Sequence, residues 1–327
     1  MISVIISVHD RKQYMRSAVE SVLDQAFPSD GFEIIVVKNF RDQEIDRFLT
    51  EKGVVDIYTQ EKSLARKMVL GLKKARGDVL CFLDDDDMFS RDKLRIVNEY
   101  FRDTNLTFLH DAIIPVDESG KRMERKVNEN PERDIILDGD LPLRAVGRAL
   151  KYKADWYASA ISVSKKFFES IQDEFWQIVR GIDKYLFFAA LARGSRLIVS
   201  SQEVTMYRVH ESLTTLDVPL QVFLQQKREF YEGSMESAVF LYSNNGRYRY
   251  AEAVRCNMVH AELLANFFSP ERKRRKGLLL EGTLCYLAVR NPSIPRWIAL
   301  SLLKSFSMNE AWKRYYRYYR RTYLNSP

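Results

Sequence analysis

The chain has 327 residues, 46% of them apolar and 12% aromatic, which excludes an intrinsically disordered polypeptide and leaves room for a full α/β domain plus a smaller unit. Its net charge of +7 is unevenly placed, because residues 271–327 hold 13 Lys and Arg against 3 acidic residues and leave the first 270 slightly acidic. A body without net basicity argues against nucleic acid as the main substrate. The opening stretch MISVIISVHD has no basic region and no small-residue cleavage site, so it reads as a strand and not as a signal peptide.

In chain order, strand-like and helix-like segments alternate. The β-branched run at 3–8 precedes a helical stretch at 14–27, and FEIIVVKN (32–39) precedes a helix over 44–53. VVDIYT (54–59) precedes SLARKMVLGLKKARG (63–77), read as a helix stopped by Gly77. DVLCFL (78–83) is a fourth strand and runs straight into Asp84, Asp85, Asp86 and Asp87. Strands alternating with helices of this length imply βαβ units and a parallel sheet, whose ligands bind beyond the carboxyl ends of the strands. Further on, LTFLHDAIIPVD, a turn at ESGK and RMERKV suggest a hairpin. WYASAISVS (156–164) and 196–210 read as strands, and 183–194 as a helix closed by Gly194. From Pro219 only helical periodicity remains, which places a boundary near 217.

The longest apolar stretch of that region, LLLEGTLCYLAV, is too short to span a bilayer. ERKRRK and WKRYYRYYRRTY suggest either contact with a membrane surface or a solvated basic helical cap packed by its tyrosines. Cys81, Cys256 and Cys285 lie far apart without metal-ligand spacing and read as reduced, buried thiols of an intracellular protein.

Four consecutive carboxylates at a strand end repel one another by several kcal/mol per adjacent pair, about 4 at an effective dielectric near 20. On a loop they can be solvated as the cap of the helix that begins near Ser90. At a buried strand end they call for a hard divalent cation, Mg²⁺ or Mn²⁺, taking one or two carboxylates and the oxygens of a phosphate.

SVIISVHDRKQYMRSAVESVLDQAF, then EIIVV, then SLARKMVLGLKKARGDVLCFLDDDD, GIDKYLFFAALARG and YRVHESLTT together resemble, in order, the motifs of family 2 glycosyltransferases across about residues 1–215. The resemblance implies the GT-A fold: a Rossmann-like, mostly parallel sheet with flanking helices, with a nucleotide half at 1–110 and an acceptor half at 111–217. To these the chain adds an all-helical, basic region at 218–327. It further implies inverting transfer of a sugar from a nucleoside-diphosphate sugar to an acceptor hydroxyl of a glycan, polysaccharide or glycolipid. Asp84 would face ribose and diphosphate, Asp86 would be the principal metal ligand, and Asp85 and Asp87 would assist or shape the turn. Asp183 matches the family's catalytic base, with a helix cap as the plain alternative. Arg208 and His210 fall on the segment that folds over the diphosphate, and His210 is a candidate metal contact. Arg66 lies in a helix whose family counterpart contacts the diphosphate, and an exposed helix cation is its plain alternative.

Two departures stand out. Ile182 occupies the place of the glutamate that usually precedes the base. Lys38 and Asn39 stand where the family has nucleobase-binding aspartates, and Lys38 cannot accept a hydrogen bond. Asn39 or Asp10 would then serve the base, with UDP as the default nucleotide and GDP or dTDP as alternatives. Trp156 and Tyr157 are either a sugar-stacking platform or core. The expected setting is the cytoplasm, with peripheral attachment at the inner face of the cell membrane as an option. A non-catalytic, nucleotide-sugar-binding relative is the competing class.

Overall fold

The β-branched run at the start of the chain becomes an interior strand of the sheet. In the computed structural model, residues 1–8, 12–124, 129–139, 141–210, 218–245, 250–269, 271–272 and 275–320 are described. The elements alternate as β1 (Ile2–Val8), α1 (Met15–Leu23), β2 (Phe32–Lys38), α2 (Gln43–Glu51), β3 (Val55–Tyr58), α3 (Leu64–Leu72), β4 (Val79–Asp84), β5 (Met88–Phe89), α4 (Lys93–Tyr100), β6 (Leu106–Val116) and β7 (Ile135–Leu137). They continue with α5 (Leu143–Lys151), β8 (Ile161–Ser164), α6 (Lys165–Phe175), α7 (Ile182–Ala192) and β9 (Arg196–Arg208). The rest is helical: α8 (Leu220–Asn245), α9 (Ala251–Phe268), α10 (Leu278–Val289), α11 (Ile294–Phe306) and α12 (Met308–Tyr319).

The nine strands form one sheet in the order β3-β2-β1-β4-β8-β6-β9-β5, with β7 on β9. β1 runs parallel to β2 and β4, and every one of its residues is buried, as a strand covered on both faces requires. The chain winds outward from β1 to β3 and then returns to β4 on the other side of β1. This is a topological switch point, where the two strand ends leave a crevice. Ser7 of β1 pairs in register with Asp84 of β4, so the acidic run opens into that crevice.

Beyond β4 the sheet becomes mixed: β8 lies antiparallel to both β4 and β6, while β9 runs parallel to β6. β6 therefore pairs with distant strands, and among the described residues an isolated bridge, Val116 to Arg122, joins it to the following segment. The turn anticipated at ESGK is present, with the Asp117 carboxylate accepting from the backbone of Ser119 and Lys121; residues 125–128 of the expected second hairpin strand lie outside the described residues.

Local signals explain some boundaries. Asp42 caps α2 by accepting from the N–H groups of Glu44 and Ile45, and Ser164 caps α6 through Phe167. The helix expected to reach Gly77 instead ends at Leu72. Gly77 sits where a Cβ would lie 2.6 Å from Ser3 N and 2.7 Å from Met1 O, so it permits close passage of the backbone beside β1.

Two compact units can be distinguished: residues 1–139, 152–178 and 182–209, and residues 140–151, 179–181 and 210–327. The second is built around rings: Phe223, Phe267, Phe268, Trp297, Tyr315 and Tyr319 are all buried, with many centroids 5–6 Å apart. Trp312 Nε1 donates to Phe267 O at 3.0 Å, and Tyr316 OH donates to Val218 O at 2.6 Å. The aromatic residues interleaved with arginines in α12 thus have a packing role inside this unit. No helix among the described residues is long and apolar enough to cross a membrane.

Candidate functional site

The four aspartates have different fates. Asp84, Asp86 and Asp87 bring carboxylate oxygens within 4.8 Å of one another, whereas Asp85 is buried outside that group. Asp87 is 3% exposed and accepts from Ser159 Oγ at 2.7 Å and from the backbone N–H of Arg208 at 2.9 Å. Ser159 Oγ also receives the Asp84 N–H at 3.0 Å, so one hydroxyl ties both ends of the acidic turn. Burial, and then the charges of Asp86, Asp87, Asp85 and Asp183, push the Asp84 carboxyl well above its ordinary range. A cation beside Asp84 would offset both the burial and the like charges. The donor set suits Mg²⁺ or Mn²⁺, which take carboxylate oxygens. Ser7 Oγ, buried beside Asp84, finds no partner among the described residues, as expected where a ligand completes the site.

Arg208 is 4% exposed and organises the turn from behind. Its Nε donates to Asp86 O at 2.7 Å, Nη1 to Glu118 O at 2.5 Å and Nη2 to Ser17 Oγ at 3.2 Å, and its plane lies over the Tyr14 ring at 4.5 Å. The guanidinium expected to meet a diphosphate is thus directed at backbone carbonyls around the acidic turn. His210 is half-buried and begins the last segment of the second unit, while Asp10 lies outside the described residues.

Beneath the turn is a buried ion pair. Lys93 is fully buried, bonds Asp111, and donates to Thr205 Oγ1 at 3.0 Å. Thr205 in turn donates to the other Asp111 oxygen at 2.5 Å, so the pair is internally satisfied. Removing only the cation leaves a buried carboxylate. Lys93→Met is expected to cost about 3–5 kcal/mol and lower the thermal midpoint by roughly 6–15 °C. Adding Asp111→Leu should recover much of the loss in the same melting experiment.

Asp183 lies in the first turn of α7 and accepts the Lys184 N–H at 2.9 Å. Burial raises its carboxyl to about 6, against the lowering influence of the Lys184 charge. Its charge is among those felt by Asp84, so the fold brings together the two acidic features that the sequence keeps nearly a hundred residues apart. Lys184 pairs with Asp155 and lies over the Trp156 ring at 4.8 Å, with Lys153 at 5.5 Å. Trp156 and Tyr157 are both half-buried, and Tyr157 adopts φ +63 and packs edge-on against Tyr207 at 4.8 Å. Burial raises the Tyr207 phenol, helped by Tyr157, Asp87, Asp86 and Asp84. Strain of this kind in a non-glycine residue costs of order 1–3 kcal/mol and concentrates at functional sites.

At the end of β2, Lys38 is fully buried and neutralised by Asp56 at 2.5 Å and Asp46 at 3.1 Å. Asn39 Oδ1 accepts from buried Lys67 Nζ at 3.3 Å, and the same ammonium donates to Val8 O at 2.6 Å. Arg66 is partly exposed, pairs with Glu61 at 3.2 Å and stacks on Trp176 at 5.3 Å.

Residues 3–155 match the model of the family described as Glycosyl transferase family 2. This segment is a family 2 glycosyltransferase domain. An uncharacterized glycosyltransferase of Rickettsia bellii is 31% identical over 127 residues, covering 38% of this chain and 18% of that protein. The minor teichoic acid biosynthesis protein GgaA of Bacillus subtilis is 27% identical over 134 residues, covering 37% of this chain and 29% of that protein. The matched part of the chain thus spans less than a third of either relative. The crystal structure of S. aureus TarS 1–349 superposes with a TM-score of 0.61 at 15% identity, covering 99% of this chain and 93% of that one. The same protein in complex with UDP-GlcNAc gives 0.55 at 15% identity, covering 93% and 91%. At that identity the likeness is one of fold. It bears out the expected α/β sheet with flanking helices and a helical C-terminal region.

The supports of the acidic turn carry no signal in the sequence. Ser159, Asp111 and Thr205 come from β-strands or turns with no motif of their own, and register across β4, β8, β6 and β9 assembles them. His110, whose Nε2 lies 2.8 Å from Trp156 O, is pushed down to about 4 by burial and so stays neutral beneath that loop.

Proposed function

We propose that the chain is a metal-dependent, inverting glycosyltransferase that moves a sugar from a nucleoside-diphosphate sugar to a hydroxyl of a glycan or lipid-linked glycan. The observation carrying this reading is that the Asp84–Asp86–Asp87 cluster sits at a switch-point crevice, with Asp183 near enough for its charge to act on Asp84. Asp86 and Asp84 would hold Mg²⁺ or Mn²⁺, which when bound neutralises the diphosphate leaving group. Asp183 takes the proton from the acceptor hydroxyl as its oxygen bonds to the anomeric carbon. The bond from that carbon to the diphosphate oxygen breaks on the opposite face, so configuration inverts and the nucleoside diphosphate departs. Arg208, Ser159 and Asp87 keep the turn in shape, and Lys184 with Asp155 fixes the start of α7.

The TarS complexes named for UDP and UDP-GlcNAc support a UDP-sugar donor, and GgaA supports an acceptor of the cell-wall glycan class. The basic residues 271–327 would suit a phospholipid-linked acceptor. A thermal-shift panel of UDP-, GDP- and dTDP-sugars with Mn²⁺ tests the donor. A UDP-sugar at 100 times its Kd should add about 2.7 kcal/mol of stability and release UDP when an acceptor is present. Stabilisation without release under any acceptor would make the chain a nucleotide-sugar binder, and no stabilisation by any nucleotide would end the proposal.

A further inference from the structure

Cys256 and Cys285, distant in sequence, meet in the helical unit. Cys256 lies one turn after Glu252 on α9, so their side chains share a face, and α10 brings Cys285 to that face. One carboxylate oxygen and the two sulfurs all lie within 4.8 Å of one another. We propose that Glu252, Cys256 and Cys285 form a binding site for a zinc-class divalent cation.

The spacing suits such an ion. With bonds of about 2.3 Å to sulfur and about 2.0 Å to oxygen, a tetrahedral S–O edge is about 3.5 Å. Cys256 Sγ stands 3.7 Å from Glu252 Oε1. Both sulfurs are buried, at 3% and 0% exposure, while the Glu252 side chain is 44% exposed and opens the site to solvent. Three protein ligands leave the fourth position to water. An outer shell is already built: Arg255 Nε donates to Glu252 Oε2 at 2.9 Å and its Nη2 to Oε1 at 2.7 Å, so Oε1 would meet the metal through its second lone pair, and that Nη2 also lies 3.7 Å from Cys285 Sγ. Charge also balances, because two thiolates, one carboxylate, one divalent cation and the Arg255 guanidinium sum to zero. Thiolates select zinc-class ions over Mg²⁺, so this site is chemically distinct from the aspartate cluster. On binding, each thiol gives its proton to solvent and its sulfur lone pair to the metal.

The test uses the reduced full chain and Co²⁺ as the probe. Co²⁺ bound to thiolate absorbs in the near ultraviolet, and Co²⁺ bound only to the aspartates does not. One equivalent of thiolate-bound Co²⁺, displaced by Zn²⁺, is expected. Cys256→Ser and Cys285→Ser should each weaken it by roughly 100-fold or more, Arg255→Gln by roughly 10–100-fold, and Cys81→Ser not at all. Zn²⁺ should also slow alkylation of Cys256 and Cys285 in the unmutated chain, which reads the site even where a variant fails to fold. Absence of the band, its survival in both cysteine variants, or recovery of a Cys256–Cys285 disulfide that excludes Zn²⁺ would each overturn the proposal.

Discussion

Asp183→Asn is expected to lower turnover by roughly 10²–10⁴-fold while leaving donor binding intact. Asparagine keeps the oxygen that accepts from the Lys184 N–H at 2.9 Å, so the start of α7 is preserved and only the proton acceptor is lost. The wild-type pH profile should agree. Burial raises this carboxyl to about 6, so kcat/KM should climb through that value as the base ionises and level off above it. Stability runs the other way. A carboxyl whose folded pKa is raised binds its proton more tightly in the folded state, and its ionisation destabilises the fold as pH rises from about 4 to 6. The full effect is of order 3 kcal/mol, taking 1.36 kcal/mol per pKa unit. Asp183→Asn should therefore melt higher than wild type at pH 7.5 while transferring far less sugar. A variant that transferred sugar at the wild-type rate would remove Asp183 from the chemistry.

Asp86→Ala should abolish the stabilisation that donor and Mn²⁺ confer together, and lower transfer by about 10³-fold, the equivalent of roughly 4 kcal/mol of transition-state stabilisation. Without ligands the same variant should be no less stable than wild type, because Asp86 is the largest charge opposing ionisation of Asp84. Asp87→Ala should behave differently. It strands the hydroxyl of Ser159 and the N–H of Arg208, at about 1–3 kcal/mol for each unpaired buried group, and should melt lower with or without donor. Calorimetric titration of donor with Mn²⁺ into both variants separates the roles. Unchanged donor affinity in Asp86→Ala would sink the metal-ligand assignment.

What the sequence made legible was local. The β-branched runs at 3–8 and 32–39, and the helices between them, carry their periodicity on their face, and β1 to β4 appear where that pattern puts them. The acidic run declares itself because four like charges at a strand end have no cheap structural explanation. What was not legible depends on long-range register. Nothing near Ile161 signals that β8 inserts antiparallel between β4 and β6, yet that insertion delivers Ser159 to the acidic turn. Gly77 looks like a helix stop and serves as a passing place for backbone. The arginines and tyrosines of α12 suggested a surface, but Tyr315 and Tyr319 face inward, a choice made by Phe223 and Trp297 from other helices. Cys256 and Cys285 are far apart in sequence, and it is the packing of α10 on α9 that brings their sulfurs together.

The acidic turn is held from outside the run. Arg208 fastens the main chain at Asp86, Asp117 and Glu118, and Asp87 fastens the main chain of Arg208 in return. Carbonyl anchors are indifferent to which side chains they belong to, so a change at 118 can leave the crevice seated, whereas the Asp117 carboxylate also shapes its own turn. At 208 a lysine could not replace a fork of five donors. The four identical letters at 84–87 are therefore not interchangeable, since the last holds the turn through its side chain and the third through its carbonyl.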